Sequence, residues 1–121
     1  MKYNRATFFF GALLIAGCSD LCGNEQMTQL ESPSGELKVV VFKRSCGATT
    51  GYSTQGSILE SDEALGNEGG NLFVVGEDAY GKPSITWIDD HELKLSYLSG
   101  LDIQVFTDAR NGVKITVDDV Q

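Results

Sequence analysis

The 121-residue chain holds one histidine, two prolines, one tryptophan and three cysteines, and its nine lysines and arginines face 17 acids. Each shortage excludes something. A net charge of −8 rules against the clustered Lys and Arg that neutralise phosphates, so no nucleic-acid partner is expected. A lone histidine, His91, is not enough for the His and Cys spacing of a zinc site. No apolar run reaches the roughly 20 residues that a membrane-crossing helix requires. Beyond the N-terminus no window repeats at 3.6 residues, so helices are not expected either.

What the chain does have starts at its N-terminus. Lys2 and Arg5 precede Phe8–Ala16, an apolar run with no acid before Asp20, and the run leads into Leu14-Ile15-Ala16-Gly17-Cys18. A basic start, a short apolar core and small residues before a cut are the parts of an export signal. The pattern closely resembles the bacterial lipobox, whose cysteine is thioether-linked to diacylglycerol and becomes the first residue after cleavage. That resemblance implies a signal peptide at 1–17, lipidation of Cys18, a polar tether at 18–32 and a single domain at 33–121. Losing Lys2 and Arg5 leaves seven bases against 17 acids, a charge of −10. Acyl chains, and not charge, would then hold the protein at a membrane, and two or more chains anchor stably. Ser19 stands where an aspartate would resemble the inner-membrane retention signal of enteric bacteria, which implies the periplasmic face of the outer membrane.

With Cys18 taken by lipid, Cys22 and Cys46 remain as an even pair, and an oxidising compartment favours a disulfide between them. The alternatives are a metal pair or a catalytic thiol, and cysteines this far apart without nearby histidines match no zinc spacing.

The rest reads as strands. β-branched, aromatic or alternating segments occur at Leu37–Arg44, Tyr52–Leu59, Leu72–Val75, Ser84–Ile88, Glu92–Tyr97, Leu101–Phe106 and Val113–Val117. Turn signals separate them: Ser32-Pro33-Ser34-Gly35, a glycine-framed loop at 47–51, an acidic stretch at 60–71, and Asn111-Gly112, a hairpin signal. Seven short strands predict one small antiparallel all-β domain, as a meander, sandwich or small barrel.

Two resemblances follow from these motifs. Ser32–Lys38 followed by Trp87–Leu93 resembles one blade of the Tol-type propeller repeat; a single blade cannot close a propeller, so this implies local hairpins only. Ser32-Pro33-Ser34-Gly35, Cys46-Gly47-Ala48-Thr49-Thr50-Gly51-Tyr52-Ser53-Thr54-Gln55, Asn67-Glu68-Gly69-Gly70-Asn71 and Trp87-Ile88-Asp89-Asp90 together cover most of the chain after Cys18. They resemble a family of small bacterial envelope proteins catalogued as a domain of unknown function, with Ser34 in place of the usual aspartate. That resemblance implies no activity.

The residues offer three places for chemistry. Asp89-Asp90-His91-Glu92 combines a histidine with carboxylates, but a solvated turn has the same composition, and a nucleophile at Ser53 or Cys46 lacks a G-x-S-x-G elbow. Asp62, Glu63 and Glu68, or Asp118 and Asp119, supply oxygens without calcium-loop spacing. Gly47, Thr49, Thr50, Gly51 and Tyr52 form a loop pinned by Cys46, and pinning lowers the entropy lost on binding. It is the candidate binding loop, with Tyr52 as the contact residue. The expectation is therefore a non-enzymatic envelope lipoprotein acting by protein contact. It would have a membrane anchor, a protein partner in the envelope, and no cofactor, metal or small-molecule substrate. The alternative is an inhibitor or immunity-type lipoprotein that blocks a basic periplasmic enzyme such as a lysozyme or toxin.

Overall fold

Val39-Val40-Val41-Phe42 is apolar without alternation, and its environment explains why. In the computed structural model, which describes residues 21–47, 51–76, 82–107 and 111–120, all four side chains are buried. They point alternately to two different clusters. Val39 and Val41 join the main core, whereas Val40 and Phe42 join a smaller one with Leu59 and Leu65. A strand covered on both faces has no polar side to display. Leu14–Cys18, Thr49 and Thr50 lie outside the described residues.

The described residues form eight strands, β1 (Gly23–Glu31), β2 (Leu37–Ser45), β3 (Tyr52–Glu60), β4 (Phe73–Val75), β5 (Ser84–Asp89), β6 (Glu92–Leu98), β7 (Ile103–Val105) and β8 (Lys114–Val120). One sheet has the order β1-β2-β3-β4-β7, antiparallel throughout. The other has the order β5-β6-β8. Val39, Val41, Ile58, Phe73 and Val75 of the first sheet share a core with Leu93 and Leu95 of the second, and Trp87 and Ile115 pack against it. The molecule is a small, open all-β domain in which the two sheets share this core.

Three features depart from the expectation. The segment read as part of a tether at 18–32 is a strand from Gly23 onward, so the β domain begins before residue 33. Glu25, Gln26 and Gln29 are exposed on this edge strand. β1 is held by its main-chain ladder to β2, so no alternation of apolar residues marks it. Second, β8 runs parallel to β6, with unbroken register from Glu92↔Lys114 to Leu98↔Val120. Parallel neighbours need a crossover, and the chain makes it through β7 in the other sheet. Third, Asn111 and Gly112 do take positive φ, 54° and 74°, but β8 pairs with β6 and β7 with β4, so this turn carries the chain between sheets and closes no hairpin.

The other turns form as their residues dictate. Gly35, at φ 81°, donates its N–H to the Ser32 carbonyl at 2.9 Å, and the Ser32 hydroxyl accepts from the Leu37 N–H at 3.2 Å. At the β5–β6 turn, the Asp89 carboxylate accepts from the His91 N–H at 2.7 Å. Both halves of the propeller-like resemblance are thus local hairpin turns.

Candidate functional site

The acidic stretch after β3 is largely exposed, as its composition suggests, with Glu60–Ala64 and Gly66–Gly69 open to solvent, but Leu65 packs on the outer face of the first sheet against Val40, Phe42 and Leu59. Polar side chains strap it there. Asn71 acts as a substitute strand: its Oδ1 accepts from the Ile58 N–H at 2.8 Å and its Nδ2 donates to the Ile58 carbonyl at 3.1 Å. The Asn71 N–H donates to the buried Ser57 hydroxyl, and the Gly70 N–H to buried Gln55 Oε1 at 2.7 Å. Gly70 must be glycine because a Cβ there would stand 2.6 Å from the Gly56 carbonyl oxygen.

At the far end of the strap sits the disulfide Cys22–Cys46. Gly23 pairs with Ser45, so the two cysteines occupy the next opposed positions and staple the ends of β1 and β2 together. Arg44 Nη1 donates to Asn24 Oδ1 at 2.8 Å and to Asn67 Oδ1 at 3.1 Å. Asn24 Nδ2 reaches the carbonyls of Gly66 and Glu68, and Asn67 Nδ2 the carbonyl of Cys22 at 2.8 Å. Staple and strap therefore form one connected patch. Neither Asn24 nor Arg44 carries a signal in the sequence: Asn24 falls in the polar segment that reads as a tether, and a lone arginine makes no motif.

The candidate binding loop leaves β2 at this same end. Gly47 and Gly51 hold φ of 134° and 68°, conformations that favour glycine. Tyr52 opens β3 with half its surface exposed, and Lys43 Nζ lies 4.5 Å from its ring centroid. This contact holds the ring in place while leaving it accessible.

His91 is remote from that end. It borders a hollow of about 270 Å³ with Ser32, Glu36, Glu60, Asp90 and Asn111. Glu60 and Leu37 mark one end of the β2–β3 ladder, and Ser45 and Tyr52 mark the other. Ser53 and Cys46 thus lie about 25 Å from the histidine at the usual rise per residue. No Ser–His or Cys–His couple can form across that gap, Cys46 is oxidised, and the Ser53 hydroxyl accepts from Gln55 Nε2. The Ser34 N–H bonds the Asp90 carboxylate and holds its pKa below 3.8; the Ser34 and Ser32 hydroxyls and His91 also favour the charged form, against a desolvation effect. Among the described residues no cluster of three His, Cys, Asp or Glu is placed to hold a metal ion, including Asp62, Glu63 and Glu68. Trp87 packs against the core and donates its indole N–H to the Leu30 carbonyl at 3.0 Å.

A further cleft, about 350 Å³, opens between strap and sheet, lined by Ser57, Leu59, Glu63, Leu65, Glu68 and Phe106 among others. It is a product of the strap, and Glu68, Gly69, Gly70 and Asn71 of the Asn67–Asn71 motif form part of its wall. No protein-family model matches the chain, and neither does any curated protein or solved structure.

Proposed function

We propose that the chain is a cell-envelope lipoprotein, anchored through Cys18 and acting by non-catalytic contact with another envelope protein. The observation that carries this is the pairing of the lipobox-like run Leu14–Cys18 with a Cys22–Cys46 disulfide, which belongs in an oxidising compartment. The disulfide would seat the anchor four residues from the staple at Cys22 and keep the Tyr52 end of the domain facing the membrane. The motif residues support contact over catalysis, because Gln55, Gly70, Asn71, Trp87 and Asp90 are committed to holding strands and turns together. The likeness to small envelope proteins of unknown function fits the same view. Ser19 favours the periplasmic face of the outer membrane.

A charge of −10 after loss of Lys2 and Arg5 favours one more specific version, in which the partner is a basic periplasmic enzyme held inactive by this domain. Acidic and basic surfaces speed encounter and set orientation.

The test replaces Thr49, Thr50 and Tyr52 by alanine and captures partners from detergent-solubilised envelopes with the wild type and the variant side by side. A binding loop predicts unchanged melting and loss of the captured partner. Undiminished capture by the folded variant would remove the loop from the interface.

A further inference from the structure

Among the described residues four strands end the two sheets, and three of them are unsuited to receiving another strand. β1 has a bulge between Gln26 and Thr28, β5 has one between Trp87 and Asp89, and β7 is three residues long. Bulges and short strands are the usual protection of open edges. β8 has neither: seven residues run in unbroken register beside β6.

The direction of its free backbone groups can be derived. Lys114 donates its N–H to the carbonyl of His91, just before β6, and Ser99, just after β6, donates to the Val120 carbonyl. The even-numbered residues of β8 therefore turn their backbone groups toward β6. Because these groups alternate along a strand, those of Ile115, Val117 and Asp119 point to the open edge. The corner also displays apolar surface, with Val117 38%, Val120 43% and Leu98 68% exposed.

We infer that β8 is a self-association edge, and that its occupant is β8 of a second copy, antiparallel and related by a two-fold axis through Thr116. That register puts Ile115 opposite the second copy's Val117 as a hydrogen-bonded pair, twice by symmetry. It puts Lys114 opposite Asp118, also twice, and Thr116 opposite itself, as the closer non-hydrogen-bonded pairs. Opposite charges, paired threonines and apolar neighbours are all favourable across strands. Asp118 already lies 3.7 Å from Lys94, so a second lysine would extend that pair into a network. The register centred on Val117 instead sets Ile115 against Asp119 and Lys114 against Val120. A centre between two residues opposes outward backbone groups to inward ones and breaks the ladder. Charge complementarity thus selects the axis at Thr116, and the result is one continuous six-stranded sheet across two copies.

The test uses the full chain in detergent with Thr116→Cys, Ile115→Cys and Val117→Cys made singly and oxidised. Thr116→Cys should give a reducible species of twice the mass, while the other two and the wild type do not. Lys114→Asp in the Thr116→Cys background should lower that yield at least several-fold, and adding Asp118→Lys should restore it. In the wild type, the amides of Ile115 and Val117 should exchange more slowly as protein concentration rises. A folded Thr116→Cys chain that stays monomeric would overturn the inference. So would strongest cross-linking at 117, cross-linking to a different protein, or exchange at Ile115 and Val117 that ignores concentration.

Discussion

The carboxylate of Asp90 accepts a hydrogen bond from the backbone N–H of Ser34 at 2.8 Å, joining the β5–β6 turn to the β1–β2 turn across 56 residues of chain. Trp87, in the same motif as Asp90, makes a second tie at the Leu30 carbonyl. The Ser-Pro-x-Gly and Trp-x-x-Asp motifs are thus two halves of one clasp between the sheets. A turn that only reversed the chain would have no need of either partner.

The clasp has an acid limit. The Asp90 pKa is lowered in the folded state, so the bond contributes stability that is fully present above the ordinary value of 3.8 and is lost as the pH falls through the lowered value. Asp90→Asn keeps an acceptor but cannot titrate. Its melting temperature should fall less than that of the wild type between pH 5 and pH 2, in parallel thermal melts.

Trp87→Phe removes the indole N–H and leaves the Leu30 carbonyl without that donor. The expected loss is about 1–2 kcal/mol in denaturant unfolding. Faster amide exchange along β1 should accompany it, since Leu30 belongs to that strand.

Gly56 lies beside the ring of buried Phe73, which occupies the space a Cβ would fill. Gly56→Ala should destabilise by about 1–3 kcal/mol through overpacking. Gly23→Ala meets nothing within 4 Å and should change stability by no more than about 0.5 kcal/mol. Chemical denaturation of the two variants separates a packing requirement from a general cost of replacing glycine.

Replacing Cys22 and Cys46 together by serine opens a loop whose ends are 24 residues apart. The chain-entropy cost is about 3–3.5 kcal/mol, and the loss should concentrate on β1 and on the Asn24–Arg44–Asn67 network. Proteolysis near Asn24 in the variant, with β2 to β8 intact, is the expected pattern.

The strands β2 to β8 were legible because their residues carry the signals a strand must carry: β-branched runs, alternation, and glycine or proline between them. β1 was not, because Glu25, Gln26 and Gln29 face water at an edge whose ladder to β2 is made by the backbone and leaves no apolar pattern. Asn111-Gly112 shows the limit of a local signal. Its positive φ angles were readable, but which strand β8 would join depends on contacts made elsewhere in the chain. The disulfide followed from an even pair of cysteines once Cys18 was set apart. The strap network did not, since Arg44, Asn24 and Asn67 meet only after β1, β2 and the acidic stretch are in place.

The intact mass of the protein purified from membranes of its own or a related host tests lipid anchoring most directly. A lipoprotein should begin at Cys18 and carry the added mass of a diacylglyceryl group with or without an N-linked acyl chain, and Cys18→Ala should stay at the precursor mass with no label from palmitate. A wild-type chain that is cut elsewhere, or that begins at Cys18 with no added mass, would contradict the account.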